Sequence, residues 1–79
     1  MDGTWDAEVD AAYINLRGDC TDLAWEQVIV DTGSKEYEVI LDFSAAGRLL
    51  GVEVLGATAA LDPALIRTLR RIDRPEEAH

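Results

Sequence analysis

Apolar and polar side chains alternate along most of the chain, which predicts β-strands rather than helices. The clearest run covers residues 36–43, where the odd-numbered positions are apolar and most even-numbered ones are polar. The same reasoning predicts strands over residues 11–17, 23–31 and 48–55, with a short first strand at Trp5–Asp6. Clusters of Gly, Ser, Thr and Asp separate these runs and are typical of turns.

The loop at residues 44–47 sets the pairing of the last two predicted strands, because loop length fixes the register of a hairpin. A loop of these four residues sets apolar positions opposite apolar ones on one face. On the other face it places Glu53 opposite Glu38, away from the predicted core. The predicted pairs are Phe43 with Arg48, Leu41 with Leu50, Val39 with Val52 and Tyr37 with Val54.

After Gly56 the strand-like alternation ends, and the residues that follow predict a helix. Asp62 followed by Pro63 is a typical helix start, since Asp accepts a backbone hydrogen bond and Pro suits the first turn. We predict one amphipathic C-terminal helix over about residues 63–73. Its apolar stripe comprises Leu65, Ile66, Leu69 and Ile72, and its basic stripe comprises Arg67, Arg70, Arg71 and Arg74.

These elements predict an α+β fold in a single domain, residues 1–79. The predicted architecture is an antiparallel β-meander of four to five strands, over about residues 4–55, with the C-terminal amphipathic helix packed on one face. One short helix cannot cover both faces of a sheet, so we expect a homodimer or a higher homo-oligomer. The candidate interface residues are Ile40, Leu49 and Leu55 on the second face, and Arg67, Arg70 and Arg71 as intermolecular salt-bridge partners. The favoured interpretation of the arginine stripe is a solvated face that complements the dipole at the helix C-terminus.

Composition narrows the classes of function. The chain carries 16 acids and 7 Lys or Arg, a net charge of −9, which favours a basic protein partner and disfavours nucleic acid and anionic membranes. A single Cys and a single His cannot build a His/Cys metal cluster, so we expect no metal and no cofactor. No apolar run approaches the length of a membrane span, and the N-terminus lacks signal-peptide features, so we expect a cytoplasmic protein.

Glu53 stands out as a carboxylate inside an otherwise apolar strand, and it shares a predicted face with Glu38 and Asp42. Two interpretations are open. The three carboxylates could work as acid and base or bind a cation. Alternatively they form a solvated or interfacial polar face, which we favour because Asp42 and Glu53 are not directly opposed and no third group is identifiable.

Two stretches, WDAEVDAAYINL and VILDFSAAGRLLGVEVLGATAAL, resemble domain-of-unknown-function family 2283 over roughly residues 4–61. These small bacterial domains have an Asp-x-x-Tyr-Ile element, a hydrophobic–Asp–aromatic strand, a Gly turn and a Gly–Ile–Glu–Ile–Leu-like strand. The resemblance implies an antiparallel sheet with a helix and no assigned activity. The candidate binding residues that lie in these motifs are Asp10, Tyr13, Asp42 and Glu53.

We therefore expect no catalytic residues and no enzymatic activity. The favoured interpretation is a non-enzymatic protein-interaction or self-associating module that neutralises or scaffolds a basic partner. The alternative is a small-ligand or metal-binding protein that uses the Asp42 and Glu53 face.

Overall fold

The computed structural model describes residues 2–18 and 21–73. Cys20, Arg74 and His79, which figure in the sequence predictions, lie outside the described residues. Within the described ranges, six strands form one mixed sheet and two short helices follow the fifth strand. The elements are β1 (Asp2–Asp6), β2 (Ala11–Asn15), β3 (Glu26–Val30), β4 (Glu38–Phe43), β5 (Leu49–Leu55), α1 (Ala57–Ala60), α2 (Pro63–Ile66) and β6 (Arg70–Arg71).

The strand order is β3-β4-β5-β2-β1-β6, so the predicted meander is wrong. β2 pairs antiparallel with β5 instead of with β3, and β6 pairs parallel with β1. The link formed by residues 16–25 explains the difference. A hairpin loop usually has about two to five residues, and this link is longer. Its length lets the chain pass β5 and β4 and reach the edge of the sheet where β3 lies.

The register of β4 with β5 also differs from the prediction. Phe43 pairs with Leu49 and Asp42 pairs with Gly51, so Leu50 is an extra residue that forms a bulge. Beyond the bulge the observed pairing is shifted by two residues from the predicted one. The observed pairs are Leu41 with Val52 and Val39 with Val54, and Glu38 lies opposite Leu55 rather than opposite Glu53.

A shift of two residues preserves the face on which each side chain lies. Val52 and Val54 therefore point to one face of the sheet, called here the core face, and Glu53 points to the other, the outer face. The predicted position of Glu53, outside the hydrophobic layer, is consistent with this arrangement.

The hydrophobic core lies between the core face and the segment that follows β5. Its central cluster of buried residues comprises Ala12, Val54, Ala57 and Leu69, and Leu50 and Ile66 are buried as well. Partly buried side chains pack around them: Trp5, Ile14, Val52, Ala60 and Leu61. The helical segment thus covers β1, β2 and β5, and the core cluster contains no residue of β3 or β4.

The predicted helix start is confirmed and its extent is wrong. Asp62 accepts a hydrogen bond from the backbone N of Ala64 at 2.8 Å, as an N-cap residue does. However, α2 ends at Ile66, and the chain turns at residues 67–69 before it pairs with β1. α1 was not predicted at all. Neither helix of the described residues is long and apolar enough to cross a membrane.

Edge pairing with β1 accounts for the short helix. The backbone N of Ile72 donates to the carbonyl of Trp5 at 3.1 Å, and Arg71 lies over the Trp5 ring, 4.9 Å from its centroid. Arg71 also forms an ion pair of 2.7 Å with Asp73. The predicted basic stripe is therefore dispersed: Arg67 caps α2, whereas Arg70 and Arg71 point to opposite sides of a strand.

The C-terminal segment gives the first testable prediction. Leu69 is 6 % exposed in the core, whereas Ile72 is 51 % exposed, although both belong to the predicted helical stripe. We expect Leu69→Ala to lower the free energy of unfolding by about 2–5 kcal/mol, because it leaves a cavity in the core. We expect Ile72→Ala to cost clearly less. Equal losses in chemical denaturation would support a continuous helix and contradict β6.

Candidate functional site

The outer face carries a hydrogen-bonded side-chain network centred on Tyr13. The Tyr13 hydroxyl accepts a hydrogen bond from Arg17 Nη1 at 2.7 Å and donates one to Asp42 Oδ2 at 3.2 Å. Asp42 also accepts a hydrogen bond from Gln27 Nε2 at 2.9 Å. These four residues, called here the polar network, join β2, β3, β4 and the segment after β2.

Asp42 is the buried member of the polar network, with 6 % of its surface exposed. A buried carboxylate is costly unless it is hydrogen-bonded. Tyr13 and Gln27 each occupy one of its two oxygens. Asp42 is thus a satisfied structural acceptor that fixes the spacing of strands on the outer face.

Gly51 makes the contact between Tyr13 and Asp42 possible. β5 lies between β2 and β4, so the Tyr13 side chain must pass over β5 to reach Asp42. It does so at Gly51, where an added Cβ would overlap the Tyr13 hydroxyl and ring. This close approach explains why a glycine occupies position 51 inside an interior strand, where glycine otherwise weakens the strand.

Arg17 ties the link after β2 to the same network. Its guanidinium lies 5.9 Å from the centroid of the Tyr13 ring, and its Nε donates to the carbonyl of Asp22 at 3.1 Å. The chain that leads to β3 is therefore anchored on the outer face. Sequence reasoning did not identify Arg17 or Gln27 as site residues. In the sequence, both residues occupy polar positions of alternating strands. Ordinary solvated side chains occupy such positions too, so the pattern does not distinguish a network residue from a surface residue.

Glu53 does not join the polar network. It lies opposite Tyr13 on one side and Ile40 on the other, and it is half-buried. Within the described residues it makes no hydrogen bond or ion pair, because the Tyr13 hydroxyl donates to Asp42 instead. In residues 2–18 and 21–73, no three or more His, Cys, Asp or Glu side chains form a group that could hold a metal ion.

Asp10, the fourth candidate binding residue, is directed to a different part of the molecule. Its backbone has a left-handed φ of 56°. Its carboxylate accepts hydrogen bonds from the Thr58 hydroxyl at 2.7 Å, the Thr58 backbone N and the Trp5 indole N. Its carbonyl accepts from the backbone N of Gly56 and of Ala57, both at 2.9 Å.

Asp10 therefore links the β1–β2 turn to the start of α1. Desolvation by itself raises its pKa, but the hydrogen bonds from Thr58 and Trp5 outweigh it and lower the pKa of Asp10 below its usual value. The structure thus brings Tyr13 and Asp42 together, places Glu53 beside them without a bond, and assigns Asp10 a structural role.

A second feature of the molecule is an exposed apolar surface at the β3 edge of the sheet. All five residues of β3 are exposed. We call this the β3 edge surface; it consists of Leu23, Trp25, Val28, Ile29 and Val30, of which Leu23 is 85 % and Trp25 77 % exposed. Of the predicted interface residues, Ile40 pairs with Ile29 at this surface. Leu49 and Leu55 are exposed on β5.

Comparison with known proteins identifies the family. A family model described as protein of unknown function (DUF2283) matches residues 4–57. The chain belongs to that family, as the sequence motifs indicated. The matched range contains Tyr13, Asp42 and Gly51, and it ends before α2 and β6. Neither a curated protein nor a solved structure matches the chain.

The polar network gives a second prediction. Tyr13→Phe removes a donor from the buried Asp42 carboxylate and should lower the free energy of unfolding by about 1–3 kcal/mol. Tyr37→Phe is the matched control, because the Tyr37 hydroxyl makes no hydrogen bond within the described part of the chain. Equal unfolding free energies for the two variants in urea would contradict a structural role for the Tyr13–Asp42 bond.

The third prediction concerns pH. The pKa of Asp10 in the folded chain lies below its unfolded value of about 3.9, so its ionised form stabilises the fold above that pH. This contribution is lost as the pH falls through the folded value. Asp10→Asn keeps one acceptor oxygen but cannot ionise. We expect the stability difference between wild type and Asp10→Asn to be largest near neutral pH and to shrink below about pH 4. A difference that grows on acidification, in urea denaturation, would contradict this role.

Proposed function

We propose that this member of the family is a non-enzymatic, self-associating protein-interaction module. The observation that carries the proposal is the β3 edge surface. Five apolar side chains are exposed at this edge: Val28 and Val30 on the core face, Ile29 on the outer face, and Leu23 and Trp25 on the segment that leads into the strand. Exposed apolar residues concentrated at one place, here one edge of the sheet, mark protein-interaction sites in soluble proteins, whereas single scattered ones are ordinary.

The thin core supports the same proposal. Among the described residues, no large side chain is fully buried. Domains of this size often gain stability from a partner or from self-association, because one small core supplies little stability. Burial of the β3 edge surface would add apolar area to the half of the sheet that α1 and α2 leave uncovered.

The proposal has a second part: the domain acts as a scaffold for a basic partner, and the acidic composition supports this. A net charge of −9 would attract a basic protein to surfaces that stay exposed after self-association. The alternative, a ligand or metal site at Asp42 and Glu53, gains no support from the geometry. Both Asp42 oxygens are engaged within the sheet, and Glu53 has no second carboxylate directly opposite it.

A fourth prediction tests self-association. Ile29→Ser removes a β-branched side chain that is 66 % exposed at the β3 edge. Val9→Ser, the control, removes one that is 67 % exposed but lies away from that edge. We expect wild type to pass from monomer to oligomer between micromolar and millimolar concentration in light scattering. Ile29→Ser should weaken association by about tenfold or more, since burying such a side chain contributes roughly 1.5–3 kcal/mol.

Val9→Ser should associate as wild type does. A monomer mass for wild type over the whole range would contradict the proposed function.

A further inference from the structure

We infer that the partner at the β3 edge is a second copy of this chain, whose β3 pairs antiparallel with this one about a two-fold axis at Val28. The inference rests on the proposed function and adds to it the identity of the occupant and the geometry of binding. It predicts one continuous sheet that runs through both copies.

The two edges of the sheet differ in a way that selects β3. Natural edge strands are protected by being short, by charged side chains, by Pro or by bulges. β6 is two residues long and both are Arg, so it is a protected edge. β3 is five residues long, contains no Lys, Arg or Pro, and has a single charge at Glu26, its first residue. Its second side has no strand partner within the described residues.

The sequence of β3 suits pairing with itself. A two-fold interface brings the same patch of both subunits together, so the strand must be self-complementary. With the axis at Val28, Val28 faces the partner's Val28, Gln27 faces the partner's Ile29, and Glu26 faces the partner's Val30. Every β3 residue is then paired, and no acid lies opposite another acid, an arrangement that would be destabilising.

The uncovered half of the core face adds a second reason. Val28 and Val30 lie opposite Leu41 and Val39 of β4 on that face, and the core cluster beneath α1 and α2 includes none of them. Pairing at β3 would place the uncovered halves of two copies side by side. The resulting apolar strip would be continuous across the dyad instead of ending at an exposed edge.

Charge favours a second copy over a basic protein as the occupant of this edge. Between Leu23 and Val30, Glu26 is the one charged residue of the sequence, so a basic partner would find little complementary charge there. The β3 strand of a second copy is equally apolar and has the same length, so it can pair with this strand along all five residues. The acidic remainder of the molecule stays available to other partners.

The fifth prediction uses introduced cysteines in a Cys20→Ser background, which contains no other thiol. Residues directly opposite in an antiparallel pair have Cβ atoms about 4.5–5.5 Å apart, close enough for a disulfide with small adjustment. We expect Val28→Cys to form a covalent dimer on mild oxidation. Gln27→Cys and Ile29→Cys should cross-link efficiently only when the two variants are mixed.

Val9→Cys is the control for random collision, because Val9 is exposed but remote from β3 in the strand order. Val28→Lys supplies an independent measurement: a lysine on the edge should shift the chain to monomer mass, with circular dichroism unchanged.

The outcomes separate the two proposals. If wild type associates but Val28→Cys cross-links no faster than Val9→Cys and Val28→Lys still associates, strand pairing is overturned and self-association stands. If wild type stays monomeric, both are overturned. Association that appears only on addition of poly-lysine would overturn the second copy as the occupant.

Discussion

The structure depends on the two-sided pairing of β5, which is hydrogen-bonded to β4 along one side and to β2 along the other. A strand that is hydrogen-bonded on both sides cannot turn about its own axis. Because Val52 and Val54 lie on the core face, Glu53 between them must lie on the outer face. The core under α1 and the polar network on the outer face both follow from that choice. β5 is therefore the element to which the other strands are aligned.

The polar network couples strands that are not neighbours. Tyr13 on β2 reaches Asp42 on β4 across Gly51, and Gln27 extends the connection to β3. Because Asp42 is buried, each donor lost there leaves a desolvated oxygen without a partner. The network thus ties β2, β3 and β4 together on the outer face, which neither α1 nor α2 covers. It also orients β3, the strand to which we assign association.

Local sequence patterns predicted strands at the positions of β1 to β5, the start of α2 and the face of Glu53, because alternation and N-cap chemistry are properties of neighbouring residues. The order of strands could not be predicted in this way, since alternation does not say which strand pairs with which. The bulge at Leu50 and the docking of Arg70–Arg71 on β1 are tertiary effects for the same reason. At the site, the family motifs pointed to Tyr13 and Asp42, which do meet. Asp10 lies in the same motifs but serves the fold, and nothing local distinguished it.

The central claim is that an apolar, unprotected β3 edge makes this small domain associate with itself. Hydrogen exchange measured as a function of protein concentration tests it most directly, because backbone amides become protected when an edge strand is paired. Raising the concentration should slow exchange at amides within residues 26–30 and leave those of β6 unchanged. Unchanged exchange in β3 while the oligomer forms, or new protection at β6, would contradict the account.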